Sequence, residues 1–156
     1  MDAYVLLKVA HVIGAAVLFG TGAGIAFFML MAHRTRDAAL IAHTSGVVVI
    51  ADLIFTASAV VLQPLTGAAL AHLSQFPLLS GWIGLSLLLY VVTGIFWLPV
   101  VWIQLRMRDL AREAVRTQAP LPASYYRLFR VWFACGFPAF AAVATIIWLM
   151  IAKPAL

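Results

Sequence analysis

Charge and sulfur are both scarce in this chain. Of its 156 residues, 10% are charged and one is cysteine. The lone thiol, Cys135, excludes an internal disulfide and any CxxC metal or redox motif. It stands inside an apolar run, where a free cysteine behaves as a small buried hydrophobe. No P-loop, dinucleotide-binding glycine fingerprint or nucleophile elbow occurs, so the chemistry of soluble nucleotide-binding and acyl-transfer enzymes has no support. No stretch could build a soluble core. The start, MDAYVLLKVAH, lacks a basic leader, and its apolar run is too long for a signal-peptide core, so no cleaved leader is expected.

Apolar side chains are what the chain has in quantity, at 65% of residues. They fall in four runs, with nearly all charges in the gaps. Each run meets the roughly 20 residues needed to cross about 30 Å of hydrocarbon. The expected fold is therefore all-α: a transmembrane four-helix bundle in a lipid bilayer, one domain over residues 1–156. The spans are expected at about 4–32, 41–62, 82–105 and 129–152, the second breaking at Gln63-Pro64, where proline removes a helical donor. The short first connection makes spans one and two antiparallel, and the order is up-down-up-down. The third helix is expected to extend into the cytoplasm through the Arg-rich segment 104–117, stopped by Ala119-Pro120-Leu121-Pro122. Asp109 and Arg112 are spaced there for a surface ion pair. Pro99 and Pro138 should kink their helices.

The net charge of +5 does not point to nucleic acid, because the arginines cluster beside apolar segments. Arg34, Arg36, Arg106, Arg108, Arg112, Arg116, Arg127 and Arg130 all lie in the first and third connections or at span ends beside them. The other side has only Lys8 and Lys153. By the positive-inside rule both termini face outward and the first and third connections face the cytoplasm.

A few polar residues inside the runs are candidates for chemistry. Asp52 lies about 14 Å along the second span, near the bilayer centre. A carboxylate there is expensive and faces the bundle interior, either as a proton acceptor or as a structural acid tied to Thr56 one turn away. His11, one turn from Lys8 in the first span, is a candidate iron ligand or proton relay, and equally a residue bonded to another helix. Lys8 either snorkels outward or meets an acidic group. His72, in the outer connection, is the only histidine on the side of His11 and so its candidate partner on a metal. His33 and His43 bracket the inner connection and are the alternative pair for a bis-histidine haem, although solvated interfacial roles are expected of them. Ala16, Gly20 and Gly24 leave a low-volume stripe for close helix packing, within the chain or in a homodimer.

These segments resemble the domain of unknown function 2269 family of bacterial membrane proteins. The resemblance rests on HVIGAAVLFGTGAGIAFF, on ADLIFT running on to VVLQPLTG, on LYVVTGIFWLPVVWIQLRMRDLA and on WFACGFPAFAAVATIIWLMIAKP. It implies a multi-pass protein of the bacterial inner membrane and carries no assigned activity. LLKVAHVIGA, with Lys8 and His11, is also similar to the first helix of CopD-type copper-resistance proteins and HemJ-type membrane protoporphyrinogen oxidases. That likeness implies b-type haem on His11, with Lys8 near a propionate. The chain departs from the oxidases after Gly20, where Thr21-Gly22-Ala23-Gly24 replaces aromatic residues and an arginine.

Three functions follow as expectations. The first is a haem protein for electron transfer or porphyrin/quinone redox chemistry. The second is a proton, metal-ion or small-solute transporter subunit centred on Asp52. The third is an accessory subunit without chemistry of its own.

Overall fold

The computed structural model describes residues 2–79 and 81–155. Four helices make up the fold: α1 (Ala3–Thr35), α2 (Ala38–Leu73), α3 (Gly81–Thr117) and α4 (Ala123–Ala152). Each has a mean hydropathy of 2.0 to 2.2 in its most apolar window and is long enough to cross a membrane. Asp2 caps α1 by accepting from the Tyr4 N–H. Arg36, in the left-handed conformation at φ 58°, ends α1. Asp37 then opens α2, its carboxylate accepting from the Ala39 and Leu40 N–H groups at 2.7 and 3.1 Å. Two capping residues thus make the whole connection, which forces α1 and α2 antiparallel.

Side-chain pairs fix the rest of the arrangement. His11 meets Thr66, Asp52 meets Trp97, and Lys153 lies over Trp82, so successive helices run antiparallel. Phe19 against Phe140 and His33 against Phe129 bring α4 back to α1 and close the ring. The core is densest toward the end that bears the arginines. There Met29, Ile41, Met107, Ala111 and Tyr125 are all fully buried.

The exterior is apolar as well as the core. Leu53, Ile95, Leu98, Phe137 and Ile151 are each more than half exposed. Ser45, Asp52, Thr56, Ser86 and Gln104 are buried. The interior is mostly apolar with these few polar groups in it, and an exterior that is apolar as well is unlike a protein built for water and suits hydrocarbon.

Two expected boundaries move. α2 does not break at Gln63-Pro64 but continues to Leu73 with Pro64 inside it. Pro64 cannot donate to the Val60 carbonyl one turn back, yet that carbonyl accepts from the Tyr90 hydroxyl of α3 instead. A neighbouring helix has supplied the missing donor, the condition under which membrane helices tolerate proline. α4 begins at Ala123, several residues before the apolar run starts. The extension of α3 to Thr117 is as expected, and Gln118 stops it in a left-handed conformation. On that extension Asp109 pairs with Arg108 at 2.9 Å, and Arg116 pairs with Glu113. The expected Asp109–Arg112 pair does not form, because Arg112 leans over Gly46 of α2, 3.4 Å from where a Cβ would stand.

Candidate functional site

The chain has five acids. Asp2 and Asp37 cap helices, and Asp109 and Glu113 pair with arginines. Asp52 does neither, and it is the buried one, with 5% of its surface exposed. No cation pairs with it among the described residues. It opens a widened turn of α2, Asp52–Thr56, in which the Ala57 N–H reaches five residues back to the Asp52 carbonyl. Such turns recur at functional sites because the extra residue opens the helix locally.

Two side chains approach the Asp52 carboxylate, the Thr56 hydroxyl one turn on and the Trp97 indole N–H, which donates at 3.5 Å. That is long for such a bond. Thr56 is 6% exposed, and its buried hydroxyl makes no hydrogen bond of good geometry among the described residues. Two more buried polar atoms are unpartnered, Gln104 Oε1 and Trp132 Nε1. Native interiors rarely leave such groups unpaired unless water or an ion reaches them. On α3, Tyr90, Trp97 and Gln104 recur every seventh residue and so share one face, each about 10 Å from the next. Tyr90 and Trp97 are the side chains of that face that bond α2. Nothing in the hydropathy marks this set, but its spacing inside an apolar run is a readable signal.

At the opposite end from the arginines, His11 is locked between α1 and α2. Its Nδ1 lies 2.7 Å from Thr66 Oγ1. The Thr66 hydroxyl also lies 2.7 Å from the Leu62 carbonyl, and in the tautomer where its proton goes there, the threonine oxygen accepts from Nδ1–H. The ring rests on Gly67, where a Cβ would stand 3.2 Å from Cε1. Gln63 donates its side-chain amide to the His11 carbonyl at 2.9 Å. Lys8 is exposed, its ammonium 6.0 Å from the centre of the Tyr4 ring. His72 does not lie in a connection: it is in the last turn of α2 and exposed. The structure brings His11 to Thr66 and Gly67 rather than to His72, because His72 stands about 9 Å further along α2 on a different face. No group of three or more His, Cys, Asp or Glu that could hold a metal ion occurs among the described residues.

His33 is not the solvated residue expected. Its ring stacks on Phe129 with centroids 3.5 Å apart and lies 3.4 Å from the buried Tyr125 hydroxyl. His43 is exposed and takes no part. The small-residue stripe is also placed differently from a packed interface. Ala16 and Gly20 are exposed, and a Cβ on Gly20 would meet nothing within 4 Å.

No curated protein and no solved structure matches the chain. One family model does, over residues 5–154, nearly the whole length, and its description is a predicted integral membrane protein. With four spanning helices and an apolar exterior, the chain is a multi-pass integral membrane protein, and it belongs to the DUF2269 family.

Proposed function

We propose that this protein moves a proton or small cation through the bilayer, as a unit of a larger assembly, with Asp52 as the accepting group. The observation that carries the reading is a carboxylate buried at mid-helix that pairs with no cation among the described residues. A charged acid at such a depth costs at least about 2.5 kcal/mol, which a transferable proton or cation offsets. The cycle is simple: one carboxylate oxygen takes the proton, the neutral acid forms, and release restores the charge. The unpartnered atoms of Thr56, Gln104 and Trp132 are places where water would stand along the route.

Four helices are few for a carrier. A second copy laid on the open Ala16–Gly20–Gly24 face would make eight, and Gly20→Leu would then separate the pair on a sizing column. The distribution of arginines favours termini on the outer side of a bacterial inner membrane. The test of the main reading is proton uptake into liposomes, followed with an enclosed pH-sensitive dye. Asp52→Asn should cut the rate at least about tenfold, since an amide cannot accept the proton. Uptake unchanged in that variant, or absent from wild type under every imposed gradient, would remove the proposal.

Electron transfer through b-type haem is the second reading, and one observation favours it. In the tautomer that gives Nδ1–H to Thr66, the His11 Nε2 lone pair is left for a metal, which is how a second partner prepares a histidine to ligate iron. Lys8 would stand near a propionate, and the exposed His72 would need to be replaced as second ligand by another group. A Soret band that shifts on dithionite reduction and is lost in His11→Ala is the expected sign. A featureless spectrum from haem-replete cells would exclude it.

A further inference from the structure

The interior does not use the surface between α3 and α4 near the arginine-bearing end. A groove of about 370 Å³ opens there toward the surroundings of the bundle. Its mouth carries Arg106 from α3 and Arg127 from α4, with Ser124 beside them. Both arginines are exposed, and neither forms an ion pair among the described residues. The acids of that region are already committed to Arg108 and Arg116. Two uncompensated guanidiniums facing one groove call for an anion.

The walls say which kind. One turn from Arg106 toward mid-helix stands Trp102, 60% exposed, and one turn from Arg127 in the same direction stands Val131, 50% exposed. Leu110 and Leu128, half-buried against the core, form the floor. Because α3 and α4 are antiparallel, both helices pass from cation to apolar side chain in the same sense and at the same level, within about 6 Å. That level is where the apolar runs end, the depth of the headgroup region, and tryptophan prefers it. A free anion matches only the mouth. A phospholipid matches the mouth and the walls together.

We infer that this groove is a binding site for an anionic phospholipid, its phosphate held between Arg106 and Arg127 with Ser124, and an acyl chain lying along Trp102 and Val131. The preference for negative charge comes from the arginine pair, whose two parallel N–H groups each suit phosphate oxygens. Neutral phosphatidylcholine carries its own ammonium and competes poorly for that pair.

The test is native mass spectrometry of the full chain in mild detergent, titrated with phosphatidylglycerol or phosphatidylcholine. Wild type should retain phosphatidylglycerol selectively. R106Q/R127Q should weaken that retention about 30-fold, at about fivefold for each arginine near a membrane surface. R34Q/R36Q removes the same charge elsewhere at this end and should leave retention unchanged. Val131→Trp, which fills the apolar wall and spares both arginines, should weaken it as well. Absence of selectivity in wild type overturns the proposal, and so does equal loss in R34Q/R36Q, which would mean diffuse attraction. Full retention in Val131→Trp, or displacement by millimolar inorganic phosphate, would identify a site for a free anion and overturn the lipid assignment.

Discussion

At the scale of the residue, two glycines decide how closely α1 and α2 approach, and neither belongs to the stripe that draws the eye. A Cβ on Gly14 would stand 2.4 Å from Gln63 Nε2, the flexible end of the side chain that bonds the His11 carbonyl. Gly67 gives the His11 ring its seat. Gly14→Ala should therefore displace the Gln63 amide and lower stability by about 1 kcal/mol, the worth of one such bond between helices. Gly94→Ala meets nothing within 4 Å and should leave stability unchanged. Unfolding in detergent by added dodecyl sulfate compares the two, and equal behaviour would refute the interlock. His11 was legible in the sequence as a polar residue in a span. Thr66, Gly67 and Gln63 were not, because they lie more than fifty positions away and nothing local marks them as its partners.

At the scale of the element, α2 shows why a proline is a conditional signal. Its ring removes one donor wherever it stands, but whether the helix stops depends on who answers the freed carbonyl. Here Tyr90 answers. Tyr90→Phe should leave Val60 unsatisfied and cost about 1 kcal/mol, whereas in a Pro64→Ala background, with the N–H restored, the same change should cost little. A double-mutant cycle measures that coupling, and additive effects would show that the hydroxyl does not serve the proline. The widened turn at Asp52 belongs to the same scale. Its acid was legible from depth within an apolar run. The turn itself and the Trp97 contact were not, since both depend on α3 standing alongside.

At the scale of the whole molecule, the exterior is apolar, unlike that of a soluble bundle, and the arginines are sorted to one end. Arginines occupy the first connection and the helix ends at that side of the bundle, while Lys8 and Lys153 each stand close to a ring, Tyr4 and Trp82, at the other. In a Cys135→Ser background, a single cysteine at exposed Gln118 should react with an impermeant maleimide only in inverted vesicles. One at exposed Gln75 should react in intact cells whose outer membrane has been permeabilised. The opposite pattern would reverse the orientation and move the proposed lipid groove to the other leaflet.

Hydropathy is a sum over consecutive residues, so span number, the long third helix and the membrane setting could be read along the chain. Charge counts near span ends are equally local, and they are enough to suggest which way the bundle faces. Partnership is different. Which carbonyl a tyrosine serves, which glycine a histidine rests on, and which arginines share a groove depend on the rotation and register of one helix against another. Those are set by packing across the bundle, where residues far apart in sequence compete for the same few ångströms. Only the tertiary structure could decide them.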